Sequence, residues 1–188
     1  MIQGPSGTGK STLLYTLLGL YFPSAGEVLW NGFRIERLPL ESFRGKIGYV
    51  GPEAFLKEGT IYDNLCYGLS RIPSNEELIE AATKADCIDF INESKQRWET
   101  VILENGVGLS AGQKQRLGFA RAYLRKPKIL VLDEATSNLD AETETRIVDN
   151  LRRIKSEMII IAASHRDKIL EIADQRVYMG KEGAAVAK

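Results

Sequence analysis

The sequence predicts an α/β fold, a mostly parallel sheet flanked by helices, with a helical insert and a small β-hairpin region added to it. Three observations carry that reading. Two unbroken apolar runs, Ile129 to Leu132 and Met158 to Ala162, are of the kind buried on both faces of a parallel sheet. Stretches of helical spacing alternate with strand-like runs, and such alternation implies parallel strands joined by crossovers. A glycine-rich nonapeptide, Gly4-Pro5-Ser6-Gly7-Thr8-Gly9-Lys10-Ser11-Thr12, leads from an apolar stub into the helical pattern Leu13, Leu14, Leu17 and Leu18.

The elements follow in order. Pro23-Ser24-Ala25-Gly26 ends the first helix. Val28-Leu29-Trp30 and Phe33-Arg34-Ile35 flank Asn31-Gly32, a hairpin signal because both turn residues need positive φ. Lys46 to Val50 reads as a short buried strand stopped by Gly51-Pro52. A helix start follows at Thr60 to Leu65, then a helix from Asn75 to Ala85 opened by the capping box Ser74-x-x-Glu77, and a helical turn near Ile88 to Ile91. Ser110 caps a further helix through Gln113, Leu117, Ala120 and Leu124, ended by Pro127. After the strand at 129–132 come Asp133-Glu134, a charged helix from Ala141 to Arg153, the second buried strand, Ser164-His165, a short helix and a strand from Arg176 to Met179. With 188 residues, a single domain is expected, residues 1–52 and 125–188 forming its core and about 53–124 a helical subdomain.

Composition narrows the partners. Lys plus Arg and Asp plus Glu each number 25, so no global field draws the chain to nucleic acid, and no nucleic-acid partner is expected. Cys66 and Cys87 lack metal-ligand spacing and read as free thiols in a reducing compartment. No apolar run is long enough to span a bilayer and no secretion signal is evident, so a soluble, cytosolic chain is expected.

The nonapeptide fits G-x-x-x-x-G-K-[ST], the phosphate-binding loop of P-loop NTPases. Its glycines let the backbone turn tightly and aim N–H donors at phosphate oxygens, with a helix N-terminus behind them. Lys10 would sit between the β- and γ-phosphates and Ser11 would ligate Mg²⁺, so ATP and Mg²⁺ are the expected ligands. Asp133 and Glu134 end a buried strand, where ligands bind in open α/β sheets. Asp133 would hold the metal and Glu134 would polarise the attacking water; a carboxylate there can also merely cap the next turn. His165 follows another strand and could donate to the γ-phosphate, although a lone histidine is more often structural. Asp140 in Ser137-Asn138-Leu139-Asp140 reads both as an N-cap and as part of the nucleotide site. Leu109-Ser110-Ala111-Gly112-Gln113 brings a hydroxyl, a glycine and a helix N-terminus together as a second phosphate surface.

Taken in sequence, GPSGTGKST, LSAGQ, ILVLDE, SNLD and His165 resemble the ordered landmarks of the ATP-binding-cassette (ABC) ATPases over nearly the whole chain. The resemblance implies head-to-tail pairing with a second cassette, identical or not, so that Ser110, Gly112 and Gln113 of one reach the nucleotide held by Lys10 of the other. Gly59-Thr60-Ile61-Tyr62-Asp63-Asn64-Leu65 and Glu104-Asn105-Gly106 look like segments of exporter-type cassettes, the second touching the membrane domain in relatives. This implies ATP hydrolysis powering export, with a transmembrane-domain partner and a place on the cytoplasmic side of the membrane, peripheral or within a longer membrane polypeptide. The alternatives are a soluble cassette acting on nucleic acid or ribosomes, and a non-hydrolysing partner cassette.

Three departures stand out. Pro52 occupies the family's loop-glutamine position and has no amide to reach Mg²⁺ or water, so neighbouring Glu53 is expected to substitute. Ala111 replaces a signature glycine. The strands and adenine-stacking aromatic that usually precede the P-loop are missing, which makes a fragment of a longer transporter polypeptide the expected identity and an unpaired edge at the P-loop strand the expected consequence.

Overall fold

The computed structural model describes residues 1–180 and the backbone of 183–187. The chain opens with β1 (Ile2–Gln3), the glycine loop and α1 (Lys10–Leu17). The Asn31-Gly32 turn has φ of 49° and 81° and joins β2 (Leu29–Trp30) to β3 (Phe33–Arg34) as predicted. A short α2 (Leu40–Arg44), not foreseen from the sequence, leads into β4 (Ile47–Val50).

The middle of the chain is mostly helical. It holds β5 (Gly59–Thr60), α3 (Ile61–Leu65), α4 (Asn75–Lys84), α5 (Ile88–Glu93), β6 (Val101–Ile102) and α6 (Ala111–Leu124). Ser74 and Ser110 both form reciprocal capping boxes, with Glu77 and Gln113, and Thr60 forms a third with Asp63. The antiparallel pairing of β5 with β6 interrupts the expected run of helices. Then follow β7 (Ile129–Asp133), α7 (Ala141–Ile154), β8 (Ile159–Ala163), α8 (Asp167–Glu171), β9 (Arg176–Gly180) and β10 (Gly183–Ala187). Among the described residues, no helix is long and apolar enough to cross a membrane.

The main sheet has the order β10-β9-β1-β8-β7-β4, parallel throughout except for β10. This overturns the unpaired edge expected at the P-loop strand. Ile2 pairs with Ala163 of β8 on one side and with Val177 of β9 on the other, because strands from later in the chain insert on both flanks of β1.

Alternation along β7 divides the core. Leu130 and Leu132 face a large apolar cluster with Phe119 and Leu117 of α6 and Ile147 and Leu151 of α7. Ile129 and Val131 face a smaller one with Leu14 of α1, Leu18 just after that helix and Ile47 of β4. Burying side chains such as Leu130, Leu132 and Phe119 fully is worth about 1.5–3 kcal/mol each. The parallel register then brings the carboxyl ends of β1, β8, β7 and β4 to one edge of the sheet.

Candidate functional site

That edge collects the glycine loop after β1, Ser164-His165 after β8, Asp133-Glu134 at the end of β7 and Gly51-Pro52 after β4. Gly4, Gly7 and Gly9 have φ of 149°, 80° and 88°, in the region that favours glycine. A Cβ on Gly4 would run into the Met179 carbonyl of β9. Between them, Pro5 accepts from the Thr8 hydroxyl at 2.9 Å, which pins the loop across exposed Ser6 and Gly7. Gly9 stands at the start of α1 without a side-chain cap, so the first N–H groups of the helix, including those of Ser11 and Thr12, are free of one.

Lys10 is buried, and its Nζ donates to the carbonyls of Gly4 and Pro5, both at 2.9 Å. An ammonium folded over the loop in this way completes a cradle for an anion. The Ser11 hydroxyl donates to Asp133 Oδ1 at 3.0 Å, although the two residues are far apart in sequence. Asp133 is 2% exposed, and its burial raises its pKa above the ordinary carboxylate value; the Ser11 hydrogen bond opposes that rise and adjacent Glu134 adds to it. A buried carboxylate paired with a hydroxyl is an all-oxygen donor set, which fits Mg²⁺, an ion held by one or two protein groups plus phosphates and water. The residues present therefore fit a Mg²⁺-nucleoside triphosphate.

Glu134 adopts φ of 48°, unusual for a residue with a side chain, and its N–H donates to Ala163 O at 2.9 Å. His165 Nδ1 lies 3.9 Å from Glu134 Oε1. Carboxylate and imidazole thus stand side by side at the edge of the cradle.

Other predicted residues are elsewhere. Asp140 is exposed, and its Oδ1 accepts from the N–H groups of Glu142 and Thr143 at 3.1 and 2.9 Å, which makes it the cap of α7. Ser110 and Gln113 are tied to each other, and among the described residues no hydrogen bond joins Ser110, Gly112 or Gln113 to the cradle of the same chain. Glu53 is exposed and makes no hydrogen bond among the described residues, so the structure gives no sign of the substitution expected of it. What meets Pro52 is Asn138, whose Nδ2 donates to its carbonyl at 2.9 Å.

Three neighbours of the site escaped sequence reasoning. The Tyr49 hydroxyl stands 3.4 Å from that of Tyr15 and against Asp133; burial first, then Tyr15, pushes its pKa up. Its place two residues after buried Ile47, on the same face of β4, was the available signal. Arg166 donates to Ser137 O at 2.8 Å and to buried Glu144 at 3.3 Å. Gln115, 1% exposed, donates to Gly51 O at 2.8 Å. Neither arginine nor glutamine carried a local pattern.

A mostly parallel sheet with a strand that runs into this cradle, and a strand-end Asp-Glu beside it, defines the P-loop NTPase fold. The chain matches the ABC transporter family model over residues 1–137, and it belongs to that family. It is 38% identical to a multidrug resistance ABC transporter ATP-binding and permease protein of Lactococcus lactis, over 95% of this chain and 30% of that protein. It is 42% identical to ABC transporter B family member 26, chloroplastic, of Arabidopsis thaliana, over 95% of this chain and 26% of the relative. Among solved structures, a bacterial Atm1-family ABC exporter with ATP bound superposes with a TM-score of 0.89 at 36% identity, over 95% of this chain and 31% of that one. The chain thus spans about a third or less of the length of these relatives.

Proposed function

We propose that the chain is the nucleotide-binding domain of an exporter-type ABC transporter, which binds and hydrolyses ATP to power transport across a membrane. The observation that carries this is the convergence of Lys10, the Ser11–Asp133 pair and the Glu134–His165 pair at the carboxyl ends of three adjacent strands. The relatives' names, which pair an ATP-binding protein with a permease or an exporter, support the coupling to transport.

In this reading residues 4–12 wrap the phosphates, Lys10 neutralises them, and Ser11 and Asp133 hold Mg²⁺, which supplies charge compensation on the phosphate oxygens. Glu134 accepts a proton from the attacking water and orients it, and His165 donates toward the γ-phosphate. Ser110, Gly112 and Gln113 serve the nucleotide of a second cassette, head to tail; the signature's distance from any bond to its own cradle supports that role. Asp140 contributes to the nucleotide site through the loop it ends, as the cap of α7. Residues 53–124 act as a helical subdomain, and the transmembrane domain meets the chain at the cytoplasmic face of the membrane.

The test is Mg²⁺-dependent ATP hydrolysis across a range of protein concentrations, beside Glu134→Gln. Turnover rising faster than linearly with concentration, and lost in a variant that still binds ATP and accumulates as an ATP-bound dimer, is the expected result. Unchanged turnover in Glu134→Gln refutes the role given to Glu134, and nucleotide binding without turnover in the unaltered chain points to a non-hydrolysing partner cassette.

A further inference from the structure

Gln115 is a long polar side chain buried in a helix whose other polar bonds stay close to home. The side chains of Gln113, Lys114, Arg116 and Arg121 all find their hydrogen-bond partners within residues 53–124. Among the described residues of α6, Gln115 differs: its Nε2 donates to Gly51 O, just past β4, at 2.8 Å. Three residues on, and so on the same face of the helix, Gly118 permits a close approach to the same segment. A Cβ there would stand 2.9 Å from that of Ala54 and 3.8 Å from Val50. Apolar contact of this kind sets how near the helix lies, but it is not directional; the hydrogen bond is, and it fixes the helix along and around its axis.

The two ends of this bond lead to two different parts of the candidate site. Val50 pairs with Leu132, the residue before Asp133, so the Gly51 carbonyl stands at the level of the buried carboxylate. At the other end, Ser110 and Gln113 are locked together by their capping box on the first turn of α6. A turn stiffened by its own box moves as one piece with the helix it opens. The amide of Gln115 is therefore the polar contact that relates this piece to the strand end beside Asp133.

We propose that Gln115 is a positioning residue: it holds Ser110, Gly112 and Gln113 in one placement relative to the end of β4 and Asp133. The surface offered to a second cassette is thereby set by the same strand end that flanks the chain's own cradle. The pairing readout of this proposal rests on the head-to-tail reading above; the exchange readout does not.

Two substitutions test it. Gln115→Met keeps an unbranched side chain of similar length and removes the donor, and Gln115→Glu keeps the shape and replaces the donor by acceptors. Each is added to Glu134→Gln, and the ATP-bound dimer is followed by sedimentation. The dimer is expected to dissociate about five- to tenfold more readily with either change, the scale of one buried hydrogen bond, while the ATP Kd of the monomer stays within about twofold. An unchanged dimer Kd, or a matching loss of ATP affinity in the monomer, overturns the proposal. If Glu134→Gln forms no dimer with ATP, the head-to-tail reading fails, and hydrogen exchange without nucleotide decides this one. The amides of Gln113 and Lys114, both bonded to Ser110, report on the first turn. Exchange about threefold faster or more at these two in Gln115→Met, with residues 118–124 unchanged, supports the proposal. Unchanged exchange at both, or an equal rise along the whole helix, overturns it.

Discussion

Arg166→Ala isolates the ion pair beneath the Ser137–Asp140 loop. The Glu144 side chain is 5% exposed, one of its oxygens takes the Arg166 guanidinium at 3.3 Å, and the other, Oε1, is buried with no hydrogen-bond partner among the described residues. Removing the arginine leaves a buried carboxylate with no cation. For fully buried pairs that costs about 3–5 kcal/mol; Arg166 is 33% exposed, so water can partly replace it, and about 2–3 kcal/mol is expected. For a chain of this size each kcal/mol moves Tm by about 2–4 °C, which gives a drop of roughly 4–12 °C. Thermal and urea unfolding followed by circular dichroism, without nucleotide, measures it. Glu144→Gln added to Arg166→Ala removes the stranded charge and should recover about 1–2 kcal/mol, since the desolvation penalty and not the lost contact dominates. A fall in Tm below about 2 °C for Arg166→Ala, or no recovery in the double variant, would refute this account of the pair.

Two further predictions concern the cradle and the cap of α7. Gly4→Ala must place a side chain at a φ of 149° and against the Met179 carbonyl, so nucleotide affinity should fall more than about tenfold while the fold survives; titration with a fluorescent ATP analogue reads it, and undiminished affinity would contradict the cradle geometry. The backbone hydrogen bond from Thr143 holds the Asp140 pKa below its ordinary 3.8, so its ionised form stabilises the folded chain at neutral pH, and that contribution is lost as pH falls through 3.8 toward the lower folded value. Asp140→Asn keeps a capping oxygen without the titration, so the gap between the two urea midpoints should be constant from pH 5 to 8 and change below about pH 4. A gap independent of pH would rule out the charged cap.

Which features could be read from the chain depends on how local their causes are. The hairpin at Asn31-Gly32, the box at Ser74 and the cap at Ser110 involve residues within four positions of each other, and each formed where the sequence placed it. The cradle was legible for the same reason, since nine consecutive residues set its conformation. The order of strands in a sheet is not a local property. Nothing around Ile2 states that β8 and β9 will flank it, and the expectation of an exposed edge failed there. The pairing of Gly59 with Ile102 was missed for that reason too, as two residues of strand have almost no periodicity to detect. At the site, the groups proposed to meet phosphate were legible in the chain, but the ones that hold them in place were not. Tyr49, Gln115 and Arg166 act through packing between segments, and only folding brings those segments together.

The strained backbone of Glu134 shows how that scaffold bears on chemistry. A non-glycine residue in the left-handed region costs on the order of 1–3 kcal/mol and persists only where its surroundings impose it. Here two bonds impose it: the Glu134 N–H donates to Ala163 O at 2.9 Å, and the Glu134 carbonyl accepts from Ser137 N–H at 3.0 Å. The first ties the carboxylate's backbone to the end of β8, two residues before His165. The second ties it to the loop that carries Asn138 and is gripped by Arg166. A shift of either segment must therefore change the constraint on Glu134. The separation of 3.9 Å between Glu134 and His165 is thus set by the register Asp133↔Ala163 between β7 and β8, and the carboxylate proposed to act in hydrolysis is sensitive to contacts outside the cradle.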